Sequence, residues 1–143
     1  MRHLPNPFTY RKKILASTRN LSDVRNFVAK HAIEHGFNKQ QIADIRLAVD
    51  EAITNIIKHA YNGEEDHSID IEIRFKEDRI CIEILDTGTS FDLKTFPKPN
   101  IEEKVKQKKR GGMGVYLIHS LMDDVSYGRE EDSNKMVMCK YRS

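Results

Sequence analysis

The sequence lacks several things that would decide its class at once. No segment reaches the roughly 18 consecutive apolar residues of a membrane-spanning helix, and no membrane span is expected. The N-terminal run MRHLPNPFTYRKK has no apolar stretch of the kind a secretory signal needs, so none is expected there. Charge of one sign is missing too. The 24 basic and 22 acidic side chains leave a net +2, no global field to favour nucleic acid. There are only two cysteines, Cys81 and Cys139, with no C-x-x-C and no histidine at metal-ligand spacing. Both lie in alternating apolar surroundings, where free cysteine is usually buried. They are expected to be reduced thiols inside strands, which fits a reducing, cytoplasmic compartment.

What is present suits one domain of 143 residues, 1–143, with a single core. Tyr10 to Ser17 has a strand-like centre at Ile14-Leu15-Ala16. Ser22 or Asp23 can cap a helix through Val24, Phe27, Val28, Ala32 and Ile33. Gly36 can end it in a left-handed cap. Asn38 can cap a second helix that runs to Asn62-Gly63. On it, Ile42, Ile45, Val49, Ala52, Ile53 and Ile56 form one apolar stripe at spacings of three and four. Glu51 and Asn55 sit four apart on a different, polar side.

Ser68–Phe75 and Arg79–Leu85 alternate apolar and polar residues around Lys76-Glu77-Asp78, the pattern of an antiparallel hairpin. From Asp92 to Arg110, about 19 residues hold two prolines and a lysine-rich run but almost no apolar residues. Unstructured connections this long are uncommon and are often lids. Its basic run is either a solvated segment or an approach to a polyphosphate. Gly111-Gly112-Met113-Gly114 then opens a helix through Val115, Leu117, Ile118, Leu121 and Met122. Val125-Ser126-Tyr127 begins a strand, Gly128 to Asn134 turns, and Met136 to Tyr141 closes the chain. The order predicts an α+β two-layer sandwich, a mostly antiparallel sheet with helices on one face.

Three stretches together have the parts of a nucleotide site. Asp86, ending the second hairpin strand, can accept from the exocyclic amine of adenine, where guanine offers a carbonyl. Gly88 lets backbone come close to a ring. Gly111 to Gly114 offers free N–H groups at the positive end of a helix, which suits phosphates. This is not a Walker loop, since no Gly-Lys-Ser/Thr follows, and not a Rossmann turn, since no strand precedes it. The Asn55 amide oxygen can complete the shell of a Mg²⁺ held otherwise by phosphate and water. Glu51 could take the proton of an attacking hydroxyl.

EAITNIIKHAY, DTGTSFD and RGGMGVYLI, in this order, resemble the N, G1 and G2 boxes of the Bergerat-type (GHKL) ATP-binding fold. Within it the chain resembles the bacterial anti-sigma-factor serine kinases, over roughly Arg11 to Arg142. The resemblance implies Glu51 as catalytic base, Asn55 as Mg²⁺ ligand and Asp86 as the adenine reader. It implies that the lid, about 92–110, and Arg110, Gly111, Gly112, Met113 and Gly114 enclose the phosphates of ATP. Lys58 and His59 match the run after the asparagine, His59 equally as a buried structural residue. Ser90 stands where the wider superfamily has a second glycine, a form typical of the serine-kinase branch. The implied partners are an anti-anti-sigma protein as substrate and a sigma factor, with homodimerisation, and with no direct contact to nucleic acid or membrane. A non-catalytic, ATP-gated binding module is the main alternative. A histidine-kinase catalytic domain ranks last, because no dimerisation helix pair with a phospho-accepting histidine is visible.

Overall fold

The computed structural model describes residues 8–61, 67–88, 110–130 and 132–142, without the side chains of residues 59, 60, 110–115 and 130. The expected lid over 92–109 and Ser90 lie outside the described residues. Strand β1 is Thr9–Leu15, followed by a short 3-10 turn at Thr18–Asn20 and helix α1 at Leu21–Glu34. Helix α2 is Lys39–Asn55, continued by a π turn at Ile56–Ala60. The hairpin strands are β2, Ser68–Phe75, and β3, Arg79–Asp86. Helix α3 is Arg110–Leu121, and strands β4, Asp124–Glu130, and β5, Ser133–Tyr141, end the chain. All neighbouring strands are antiparallel, in the order β1-β2-β3-β5-β4.

The core lies between the sheet and the helices. Ile69, Ile71 and Ile73 of β2 and Ile80, Ile82 and Ile84 of β3 are buried, and they meet Val24 and Val28 of α1 and Ile45, Val49 and Ile53 of α2. Each such side chain contributes about 1.5–3 kcal/mol on burial. This is the α+β sandwich expected, with β2 and β3 where alternation put them. The opposite face of the sheet carries a ladder of ion pairs instead: Arg11 to Glu72 at 2.7 Å, Arg74 to Glu83 at 3.1 Å and Lys135 to Glu83 at 3.2 Å.

Local signals account for most of the element ends. Gly36 has φ 87°, the left-handed conformation a side chain would resist. The Asn38 side chain accepts from Gln41 N at 2.8 Å, and Gln41 Oε1 accepts from Asn38 N at 2.8 Å, a capping box worth about 1 kcal/mol. Other ends differ. Helix α1 begins at Leu21, before Ser22 and Asp23, because the 3-10 turn capped by Ser17 leads straight into it. Gly111 to Gly114 do open α3 as expected, with the helix starting one residue earlier, at Arg110. Residues 128–130 and 133–134, expected as a turn, are paired strand, with Gly128 opposite Lys135 and Arg129 opposite Asn134.

The cysteines also depart from expectation. Cys81 and Cys139 face each other across β3 and β5, with Cα atoms 4.1 Å apart, and form a disulfide rather than two reduced thiols. Sequence patterns hide the pairing because the register of β3 against β5, which sets Cys81 opposite Cys139, is nonlocal. With no free thiol at either position, the cysteines no longer speak for a reducing compartment.

Candidate active site

The site is assembled where the end of α2 meets the end of β3. Helix α2 turns its stripe of Ile45, Ala48, Val49, Ala52 and Ile53 into the core. Glu51 and Asn55, a turn apart, stay half-buried at the margin of that stripe, about 6 Å from each other along the axis. Glu51 makes no hydrogen bond or ion pair with a described residue. The Nδ2 of Asn55 is buried and has no partner among the described residues. Buried amides are normally satisfied, so this group fits a residue that completes its bonding on something bound.

Directly after Asn55 the helix widens. Tyr61 N–H donates to Ile56 O at 3.0 Å, the i to i+5 bond of a π turn. Such turns insert an extra residue and re-aim the chain beyond them. Here the redirected residue is Tyr61, only 2% exposed and stacked on His67 with centroids 4.4 Å apart. Its hydroxyl donates to Ser68 O at 2.7 Å and accepts from Thr87 N–H at 2.8 Å. Loss of that hydroxyl would leave two backbone groups unmet, at about 1–3 kcal/mol each. Tyr61 therefore ties the Asn55 end of α2 to the residue after Asp86. Its place in the N-box run gives no sign of this, because helical spacing alone does not turn it inward.

Asp86 is, with Ser17, one of the buried polar residues among those described, at 5% exposure. Its Oδ1 accepts from Gly88 N–H at 3.0 Å and from Asn134 Nδ2 at 2.9 Å. Its Oδ2 makes no hydrogen bond to a described residue, so the carboxylate retains an acceptor for a ligand. That fits an exocyclic amine. Gly88 is held in turn by Asn134 Nδ2, which donates to its carbonyl at 3.2 Å. Sequence patterns miss Asn134, which has the composition of a turn.

Helix α3 packs against α2. The N–H groups of its first residues, Arg110, Gly111 and Gly112, have no intrahelical partner, as at the start of any helix. Such groups suit an anion. The side chains of Arg110 and Met113 lie outside the described residues, as does that of His59; Lys58 is exposed. The structure thus ties Tyr61, after the α2 end, to Thr87, and Asp86 to Gly88, through hydrogen bonds, with α3 alongside α2. Among the described residues no cluster of three metal-ligating side chains occurs.

An antiparallel sheet backed by helices, with a carboxylate at a strand end facing a helix that carries an acid–amide pair, defines a nucleotide-binding α+β domain. Residues 14–140 match the histidine kinase-like ATPase domain model, and the chain belongs to that family. It is 42% identical over 110 residues to the serine-protein kinase RsbW of Listeria innocua, covering 74% of this chain and 69% of that one. To the serine-protein kinase RsbW of Bacillus cereus it is 35% identical over 133 residues, 90% of this chain and 82% of the relative. Among solved structures, a chain of the SiaB–SiaC complex from Pseudomonas aeruginosa superposes with TM-score 0.68, over 92% of this chain and 88% of that chain. At 12% identity, that likeness speaks to the fold alone.

Proposed function

We propose that this chain is an ATP-dependent serine kinase that phosphorylates an anti-anti-sigma protein and, when that partner is modified, holds a sigma factor instead. The observation that carries the reading is the pair Glu51 and Asn55. They lie one turn apart on the helix tied through Tyr61 to Thr87, the residue after Asp86, one without a partner among the described residues and the other with an orphaned buried donor. The likeness to serine-protein kinases supports the same choice.

In this reading Asp86 Oδ2 accepts from the adenine amine, and Gly88 leaves room for the ring. The N-terminal N–H groups of α3, with Arg110 and the segment 92–109, receive the phosphates. Asn55 would be the protein ligand of a Mg²⁺, which when bound neutralises charge building on the phosphoryl oxygens. Glu51 takes the proton of the substrate serine as its oxygen attacks the γ-phosphorus in line and the bond to the β-phosphate oxygen breaks. Lys58 and His59 remain assigned to the nucleotide through the family resemblance. The proposal places the kinase in one domain, in a homodimer and in the cytoplasm, where ATP is available; no described helix is long and apolar enough to cross a membrane.

The test is capture of partners from the native cell with and without ATP, followed by mapping of phosphoserine. A captured protein that gains phosphoserine only with ATP is the expected result. A partner that binds in an ATP-dependent way but is never phosphorylated makes the binding module the better reading.

The metal role has its own check. Asn55→Ala should still bind ATP without metal, but lose the tightening that Mg²⁺ gives, with circular dichroism unchanged. Calorimetry in Mg²⁺ and in EDTA measures both. A variant that binds Mg-ATP like the wild type removes Asn55 from the metal shell.

A further inference from the structure

Two residues outside the three nucleotide boxes converge on Asp86. The register puts Asp86 of β3 opposite Asn134 of β5, and Asn134 opposite Arg129 of β4. The three side chains therefore form one row across three strands on the helix-covered face of the sheet. The contacts run along that row: Arg129 Nη1 donates to Asn134 Oδ1 at 2.7 Å, and Asn134 Nδ2 donates to Asp86 Oδ1 at 2.9 Å.

The direction of this chain of bonds is set by the chemistry of its ends. A guanidinium can only donate and an ionised carboxylate can only accept. The amide between them can satisfy both in one orientation, with its oxygen toward Arg129 and its nitrogen toward Asp86. Both links carry a charged partner, which makes them shorter and stronger than neutral ones. The second donor to Asp86 Oδ1, Gly88 N–H, comes from the turn that Asn134 also holds through Gly88 O. So Oδ1 is saturated, and the free lone pairs of the carboxylate are those of Oδ2.

We propose that Arg129 and Asn134 are positioning residues for base recognition: they lock the Asp86 carboxylate so that Oδ2 is presented to the exocyclic amine of adenine. Neither touches the nucleotide; they act through Asp86, and Arg129 acts through Asn134. The inference rests on the assignment of Asp86 as the base reader. It adds that adenine selectivity is set from the β4–β5 hairpin, and that an exposed arginine contributes to it.

The probes are ATP and purine riboside triphosphate, which lacks only the exocyclic amine. Their affinities are compared by calorimetry for the wild type, Arg129→Met, Arg129→Lys and Asn134→Leu. The wild type should prefer ATP. Arg129→Met should lower the ratio of the two affinities about fivefold, less than the roughly tenfold or more of a charge-assisted hydrogen bond lost outright because Arg129 acts only through Asn134, leaving the analogue's affinity unchanged. Arg129→Lys, which restores a donor, should recover most of the ratio. Asn134→Leu should lower it at least as far, and adding Arg129→Met to it should change nothing more. An unchanged ratio in Arg129→Met, or an equal loss for both nucleotides, overturns the relay while Asp86 keeps its role. A wild type that does not distinguish the two nucleotides overturns the role of Asp86 itself, and the relay with it.

Discussion

Asp86→Asn is expected to bind ATP at least about tenfold more weakly, and to shift its preference toward GTP. A hydrogen bond to a charged acceptor contributes about 1.5–3 kcal/mol, which is roughly a 10- to 150-fold change in affinity. The environment decides which way the new amide points. Gly88 N–H and Asn134 Nδ2 both need an acceptor, and both now donate to Oδ1. The amide at position 86 must keep its oxygen toward these two donors. Its NH₂ then occupies the place of Oδ2 and faces the base. Against adenine that is donor against donor. Against the carbonyl of guanine it is a hydrogen bond. A side chain free to rotate would blur the effect; this one, 5% exposed and held by two donors, is not free. Calorimetry with both nucleotides is the measurement, with a thermal melt to show that the fold is intact. Equal ATP affinity in variant and wild type, or equal affinity of the wild type for ATP and GTP, would remove Asp86 from base recognition.

The residues around the carboxylate differ in how visible they are in the sequence. Asp86 can be placed at a strand end because Ile80, Ile82 and Ile84 alternate with polar residues, and one half-buried strand face is a local pattern. Asn38 and Gly36 are equally local, as cap chemistry. Asn134 is not. Ser133-Asn134-Lys135 has the composition of a turn, and it is strand only because Lys135 and Asn134 pair with Leu85 and Asp86 on one side and with Gly128 and Arg129 on the other. Such pairing is nonlocal and leaves no periodicity in the segment itself. The same blindness hides the disulfide, since no local pattern sets Cys81 opposite Cys139. Tyr61 escapes for a different reason. Spacing of 3.6 residues carries no sign of a π turn, so the inward aim of the tyrosine depends on a hydrogen bond between Ile56 and Tyr61 that sequence patterns do not encode.

Glu51→Gln should transfer phosphate at least about a hundredfold more slowly while binding ATP and its protein partner nearly as well as wild type. A serine hydroxyl is a weak nucleophile at neutral pH, and transfer needs it both aligned and relieved of its proton. Positioned general bases typically contribute about 10²–10⁴ in rate. Glu51 suits this role because no described residue engages its carboxylate, which leaves it open to a substrate hydroxyl. This separates it from Asp50, its neighbour, which Arg25 Nη1 holds at 2.8 Å. Glutamine keeps the size and polarity of Glu51 but cannot accept a proton, so nucleotide binding through Asp86 and the α3 N-terminus should survive. The assay is single-turnover transfer from labelled ATP to the captured partner, which separates chemistry from product release. Equal transfer rates would show that Glu51 is not the base. No transfer by either protein, with ATP binding intact, would leave nucleotide-gated partner binding as the function of the site.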